Sequence, residues 1–498
     1  MRYYHKYLIL AGLVVLPVAL YIASQFVSFS SIVGIAVLLC VAAVAAFNFE
    51  LGLTLLVLFL PFEPFLLKFV PAGFVVFFRL IPESIIAALF VRSLVQARVK
   101  GVVISDSDPI RISLFLMLGF SVISIIVNRV EPVVAAVGLR QIFRFILLYE
   151  ACVLYGLKTK SVLKILGIVA VLAAFESGLG VLQAIVGNRL DNFLQTGGEF
   201  YVGELRVSQN IEQVREQGRR VFATMARYDQ LGTFLALIAS AAIGFVYQGS
   251  HKIKRYALVL LLLVLPGIFL SYSRSSWFGF LLALIVTAII IKRDKKVLAA
   301  LLILIAVLAG YTSYREVEVR RLIDEPQFSP FERLLEAFSQ KRWREEYRNK
   351  GRFYFLPETP KALFPDHILL GVGPGQFGGG AAAALHNTKG YDELNLPYGL
   401  WGSAGVVDSN WASILGEVGI LGAAAFASIF VLLILFSRRI LIDERAGWLE
   451  KSLALGLIGA TVCFVFMAFL GTNFENRTLA PYYWLLAGLT VVSLRNTD

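Results

Sequence analysis

The chain has 498 residues, 58% of them hydrophobic and 16% charged, with a formal net charge of +12 and a mean hydropathy of +0.75. That balance excludes a soluble globular domain. The positive excess does not point to nucleic acid, because most of it sits in short loops between apolar runs, where a multi-pass membrane protein carries its cytoplasmic lysines and arginines.

Apolar windows of about 18–25 residues, enough to cross ~30 Å of hydrocarbon, recur along the chain. They lie near residues 7–24, 29–47, 51–69, 78–96, 110–128, 133–157, 161–187, 228–248, 256–272, 276–291, 296–313, 409–437, 449–470 and 478–494. An all-α integral membrane protein follows. Pro61, Pro64, Pro71 and Pro82 interrupt the 51–96 region, where half-helices or a re-entrant turn would lower the count by two. Twelve to fourteen transmembrane helices are therefore expected, with a large, partly helical outer loop. Met1–Lys6 runs into the first span without a small-residue cleavage site, which argues against a removable signal peptide. Cys40, Cys152 and Cys463 all fall inside predicted spans, so neither a disulfide nor a cysteine metal site is expected.

Basic clusters at Arg92/Arg98/Lys100, Lys158/Lys160, Lys252/Lys254/Arg255, Lys292/Arg293/Lys295/Lys296 and Arg438/Arg439 alternate with the spans. They share one side with Arg2 and Lys6, which puts that side and both termini in the cytoplasm. Segments 188–227, 273–275, 314–408 and 471–477 then lie outside. The expected division is an N-terminal membrane region, 1–313, with an outer loop at 188–227; a large outer loop or lid, 314–408; and a C-terminal membrane region, 409–498.

The large loop is not a plain linker. Ser329-Pro330-Phe331-Glu332-Arg333 starts a helix, and Phe331, Leu334, Leu335 and Phe338 give it one apolar face. It runs into Lys341, Arg342, Arg344, Arg348, Lys350 and Arg352, interleaved with Trp343 and Tyr347. Such a helix suits the bilayer surface; a solvated face with ion pairs to Glu345 and Glu346 is the alternative. The glycine-rich run 371–380 lacks the Lys-Ser/Thr and strand–helix context of a nucleotide loop.

The chemistry-bearing residues are arginines and carboxylates. Arg220 closes the first outer loop, and Arg274 sits in the turn Ser271–Trp277 between two spans. Arg274 is on the wrong face for the positive-inside rule. A guanidinium is matched to a diphosphate by its planar fork and permanent charge. Arg140 and Arg144, one helical turn apart inside a span, fit a functional site or an internal ion pair, for example with Glu150. Arg79 and Glu83, at i and i+4, read as a self-neutralising structural pair. The four histidines, His5, His251, His367 and His386, show no metal-ligand spacing, and no serine nucleophile elbow occurs. What remains is the inventory of a metal-independent glycosyl transfer from a lipid diphosphate, with no cofactor. A carboxylate takes the acceptor's proton while cations hold the leaving diphosphate.

The order of motifs resembles the O-antigen ligase/O-antigen polymerase superfamily. It comprises an arginine before Ala223-Thr224, the Ser273-Arg274-Ser275 turn, an outer loop with Gly371-Val372-Gly373-Pro374-Gly375-Gln376-Phe377, and Asp408-Ser409-Asn410 leading to Glu417-Val418-Gly419-Ile420-Leu421-Gly422. The resemblance covers roughly residues 215–425. It implies a polytopic inner-membrane transferase acting at the periplasmic face on undecaprenyl-diphosphate-linked glycans. It also implies a glycan or lipid A-core acceptor, with chain-length regulator and flippase proteins as partners. On it, Arg220 and Arg274 bind the diphosphate. Independently of the resemblance, Arg140, Arg144, Arg219, Arg342, Arg344 and Glu417 are further substrate-binding candidates. Asp408 stands where ligases of the family have a catalytic histidine, nine residues before Glu417. It is taken as the base in preference to His386-Asn387, which lacks the following motif. Asp for His favours polymerisation of repeat units over ligation to lipid A-core. A transporter would instead place its charges at the membrane midplane between related halves, and a mere scaffold gives no reason for Arg274 and Asp408 at one interface.

Overall fold

The computed structural model describes residues 28–99, 108–195, 199–202, 205–208, 220–314, 340–398 and 407–495. The helices in chain order are α1 (Phe29–Phe47), α2 (Phe49–Leu66), α3 (Val75–Val99), α4 (Arg111–Val127), α5 (Pro132–Phe143), α6 (Ile146–Tyr155), α7 (Thr159–Val186) and α8 (Asn188–Leu194). A short antiparallel hairpin, β1 (Glu199–Val202) and β2 (Leu205–Ser208), comes next. Then follow α9 (Tyr228–Gln248), α10 (His251–Leu270), α11 (Arg274–Leu284, continued by a wider π-helical stretch Ile285–Ile291) and α12 (Lys295–Tyr314). Helices α13 (Gln340–Arg348), α14 (Arg352–Leu363), α15 (Gly379–Ala384) and α16 (Lys389–Glu393) belong to the large loop. The chain closes with α17 (Asn410–Ile442), α18 (Trp448–Met467) and α19 (Ala480–Arg495).

The protein is an all-α multi-pass membrane protein apart from that hairpin. Among the described residues nine helices are long and apolar enough to cross a membrane, or ten if the bent pair α5–α6 forms one span. Shorter apolar helices stand at α4 and α19, and α12 is a further helix of 20 residues, mainly Ala, Leu, Ile and Val. Every expected run from 29–47 onward is thus helical; the first, 7–24, lies outside the described residues. The prolines of the 51–96 region did not reduce it to half-helices; Pro71 lies between its two helical segments. Pro61, Pro64 and Pro82 ride inside α2 and α3, and both segments keep spanning length. The broken span is instead α5–α6, bent by 56° at Arg144 and Phe145, where the Arg144 side chain turns to Glu83 and to the Glu475 carbonyl.

Helix α9 runs through the centre, with Leu231–Gly244 buried throughout. It packs on α18 through small residues. A Cβ at Gly244 would stand 2.1 Å from the Ser452 carbonyl oxygen, and one at Gly456 would stand 2.6 Å from that of Ala241. Backbones approach this closely only where side chains are absent, the usual device for packing helices in lipid. At one end of the bundle the loop before α19 plugs into the core. Phe474 lies 4.7 Å from the Phe430 ring and 4.8 Å from that of Phe464. This anchors Glu475 and Arg477 beside it. The basic loops meet at the opposite end: burial pulls the Lys292 ammonium below its usual range, helped by the charges of Lys451 and Lys254.

Arg79 and Glu83 are not the self-contained pair expected. The Glu83 carboxylate accepts from Arg140 at 2.6 and 2.7 Å, from Arg144 at 3.1 Å and from Arg477 at 3.0 Å. Arg477 also donates to the Arg79 carbonyl at 2.6 Å and pairs with Glu63 at 3.2 Å. Arg140 and Arg144 are likewise ion-paired, but to Glu83; Glu150 binds Arg111 at 3.1 Å. Four-residue spacing shows which groups share a helix face and cannot show which neighbour arrives from another helix. A carboxylate buried in this setting needs several donors to offset desolvation.

Candidate functional site

The turn between α10 and α11 is built to hold one side chain in place. Ser276 donates to Ser273 Oγ at 2.7 Å, and the Trp277 indole N–H donates to the Ile268 carbonyl at 2.8 Å. Helix α9 presses on the turn at Gly232, where a Cβ would meet Ser271 Oγ at 2.6 Å and Ser276 Oγ at 2.8 Å. Arg274 is the first residue of α11 beyond this turn.

The segment carrying Arg220 lies alongside. Val221 N–H donates to the Leu270 carbonyl at 3.2 Å. The N–H groups of Phe222 and Ala223 donate to Gln183 Oε1 at 3.0 and 2.9 Å. Thr224 gives its N–H and its hydroxyl to Glu176 at 3.2 and 2.5 Å. Both acceptors are buried residues of α7. The chain then enters α9 through Arg227, Tyr228 and Asp229. Arg227 forms a two-pronged pair with Asp229 at 3.0 and 2.9 Å, and the charge of Asp229 pushes its pKa up. The Arg220 guanidinium lies 4.6 Å from the centre of the Tyr228 ring, a cation–π distance.

Asp408 arrives from the other half of the chain. Ser409 caps α17 by accepting from Ala412 N–H. Asn410 N–H donates to the Ala468 carbonyl at 2.9 Å, and Asn410 Oδ1 accepts from Phe474 N–H at 2.9 Å. These bonds fix the backbone that holds Asp408. Its carboxylate pairs with Arg352 at the start of α14, whose Nε donates to Oδ2 at 2.6 Å. Burial alone would lower the Arg352 pKa, but the charges of Asp408 and Asp229 outweigh it and raise the value.

Tyr228, Asp229, Arg274, Trp343, Arg352 and Phe353 share the wall of one cavity of about 550 Å³. The three residues singled out from sequence therefore converge. Arg274 lines the cavity, Arg220 stacks on a lining tyrosine, and Asp408 holds a lining arginine. Arg140 and Arg144 sit instead in the Glu83 network. Arg344 is exposed on α13. Arg342 is on the same helix with its side chain outside the described residues, as are Arg219 and the expected helix start at 329–338.

Glu417 is only 5% exposed. Its Oε1 accepts from the N–H groups of Gly375 and Gly378, each at 3.1 Å. Two residues on, α17 is interrupted at Gly419, and the chain entering the glycine loop, Ile368–Val372, pairs with it: Val372 N–H donates to the Gly416 carbonyl at 2.9 Å and Ile420 N–H to the Ile368 carbonyl at 2.8 Å. The Glu-x-Gly motif thus sews the glycine-rich run to the membrane helix. It does not face the cavity.

Arg352, Arg227, Asp229 and Arg477 were missed in the sequence. Arg477 carried the signal used for Arg274, an arginine in a short loop on the side away from the basic clusters. Arg227 and Asp229 flank a tyrosine at a span boundary. Arg352 was hidden among the other cations of its stretch. Among the described residues no group of three or more His, Cys, Asp or Glu is placed to hold a metal ion.

This arrangement offers fixed guanidinium groups, a carboxylate and aromatic walls around one space, which suits an anionic ligand next to a group that can take a proton. No curated protein matches the chain. Residues 257–427 match the family model described as O-antigen ligase. The stretch includes the Arg274 turn, the Gly371–Gly380 run, Asp408 and Glu417, and it supports a likeness of this part of the chain to the O-antigen ligase/polymerase superfamily.

Proposed function

We propose that the protein is a glycosyltransferase of the inner membrane that joins glycans carried on undecaprenyl diphosphate, with its cavity open to the periplasm. The observation that carries this reading is the convergence of Arg274, Arg220 and Asp408 on one cavity from three separate stretches of chain. Arg274 and Arg220 hold the donor's diphosphate. The acceptor hydroxyl oxygen attacks the anomeric carbon, the bond from that carbon to the phosphate oxygen breaks, and its electrons leave with the diphosphate. Asp408 receives the hydroxyl proton. The arginines neutralise the charge that grows on the leaving group, the contribution expected of cations placed before the reaction begins. No step calls for a metal, so activity should persist after exhaustive chelation.

The acceptor we favour is another lipid-linked glycan, which makes the enzyme a polymerase; ligation to lipid A-core or another acceptor is the second reading. The favouring observation is the carboxylate at position 408, held by Arg352, where ligases of the family carry histidine. Mass analysis of the surface glycan in a deletion strain tests both. Single repeat units on the acceptor mean a polymerase. Long chains stranded on the carrier mean a ligase, and an unchanged glycan overturns the proposal.

A further inference from the structure

The carboxylate assigned as the base is already occupied. Arg352 Nε donates to Asp408 Oδ2 at 2.6 Å, and Nη2 of the same guanidinium reaches that oxygen too. A guanidinium in this position takes up the carboxylate oxygen that an acceptor hydroxyl would have to reach. An acceptor hydroxyl would have to displace it. Yet the pair is not sealed away. The Arg352 side chain is 34% exposed and that of Asp408 22%, and Arg352 lines the same cavity as Arg274.

Arg352 is also carried on a different part of the fold from its partner. Asp408 is tied to the membrane bundle through Asn410, Ala468 and Phe474. Arg352 opens α14, which folds back on α13. The rings of Trp343 and Phe353 lie 4.0 Å apart, and the Tyr347 hydroxyl donates to Glu358 at 2.7 Å. The guanidinium thus comes from the outer loop and the carboxylate from the bundle. A diphosphate beside Arg274 would bring more than one negative charge and several acceptor oxygens to Arg352, against the single charge of Asp408. Guanidinium binds phosphate oxygens through the same planar fork that it offers a carboxylate.

We propose that Arg352 exchanges Asp408 for the donor's diphosphate, so that donor binding bares the base and an empty enzyme cannot activate an acceptor. This rests on the reading of Asp408 as base and Arg274 as diphosphate ligand given above. It makes Arg352 a third diphosphate ligand and imposes an order, donor before acceptor. It also gives the outer loop a part in the chemistry beyond covering the site.

The test uses purified full-length protein in detergent, with undecaprenyl diphosphate as the probe and undecaprenol as the uncharged control. Modification of Asp408 by a water-soluble carbodiimide and an amine is read by peptide mass spectrometry. In the wild type, saturating undecaprenyl diphosphate should raise modification of Asp408 several-fold, and undecaprenol should leave it unchanged. Arg352→Gln should show the high level with and without the diphosphate. It should also bind the diphosphate about ten- to a hundredfold more weakly, the loss expected for one charge-assisted contact. Unchanged or reduced modification in the wild type with diphosphate would overturn the exchange, as would an equal rise with undecaprenol or wild-type affinity in Arg352→Gln. The wild-type arm needs no variant to fold. Full transfer by Asp408→Asn would remove the base assignment instead, an outcome separate from whether the exchange is seen.

Discussion

The Glu176 carboxylate takes two hydrogen bonds from Thr224, one from its N–H at 3.2 Å and one from its hydroxyl at 2.5 Å. Gln183, about two turns further along α7, takes the N–H groups of the two preceding residues, Phe222 and Ala223. A polar strip inside a membrane helix thus holds the segment that begins with Arg220. Glu176→Ala would strand the Thr224 N–H in a buried place, at a cost of about 1–3 kcal/mol. The expected result is a lower Tm and a raised donor KM with a smaller change in kcat, while Glu176→Gln, which keeps an acceptor oxygen, retains most of the function. An Ala variant with wild-type Tm and KM would show that the strip does not position Arg220.

Arg274→Ala and Arg220→Ala should each weaken donor binding as well as slow transfer. A hydrogen bond to a charged partner contributes about 1.5–3 kcal/mol, or roughly ten- to a hundredfold in affinity. The effect of Arg220→Ala includes loss of its stacking on Tyr228. Lysine at either position should restore only part of the activity, because it brings the charge without the planar fork. Titration with undecaprenyl diphosphate reads the outcome; unchanged affinity in both variants would remove the diphosphate role.

Asp408→Asn should abolish transfer while donor affinity stays at or above that of the wild type, because the amide no longer competes with the diphosphate for the Arg352 charge. The amide keeps the shape and loses the capacity to hold a proton. Steady-state turnover with purified donor and acceptor measures the first part, and donor titration the second. Wild-type turnover would move the base elsewhere. Asp229 would then be the carboxylate to test, since it lines the same cavity, whereas Glu417 is enclosed by the glycine loop.

Much of the fold was legible because a membrane helix must satisfy its own backbone and face lipid, which leaves long apolar runs in the sequence. The site was legible only where an arginine stood on a side that charge distribution did not explain, as at Arg274. Partnerships across the bundle left no such trace. Glu83 stands four residues from Arg79, yet its carboxylate binds arginines from α5 and from the loop before α19. Glu417 was read as a substrate-binding candidate because a motif drew attention to it. Its partners are backbone N–H groups of Gly375 and Gly378, and a backbone donor has no residue type to reveal it. Arg352 shows the reverse difficulty: among so many cations, the one that meets Asp408 cannot be picked out without the fold.

Gly419 should tolerate no side chain. Its backbone, at φ 65° and ψ −170°, lies in a region that is essentially reserved for glycine and costs other residues about 1–3 kcal/mol. An added Cβ would also stand 2.3 Å from the carbonyl of Leu369. Gly419→Ala should therefore cut the yield of folded protein and its Tm. Glu417→Gln keeps the Oε1 acceptor for Gly375 and Gly378 and should stay folded and active. A folded Glu417→Gln that has lost turnover would give Glu417 a chemical role in place of the structural one.

The two ends of the bundle differ in charge, which sets the way the molecule should face in the membrane. The positive-inside rule predicts that the basic loops at one end face the cytoplasm, and the cavity with Arg274 and Arg352 is at the other. With exposed Cys40 replaced by alanine, and Cys152 and Cys463 buried, single cysteines can report each end. Lys389 on the large loop and Lys295 at the start of α12, in the basic cluster, are both exposed. In intact spheroplasts Lys389→Cys should react with a membrane-impermeant thiol reagent, and Lys295→Cys should react only after lysis. The reverse pattern would turn the molecule over. Asp408 and Arg274 would then meet the cytoplasm, where a carrier-linked glycan is built rather than joined, and the proposed transfer would lose its substrate.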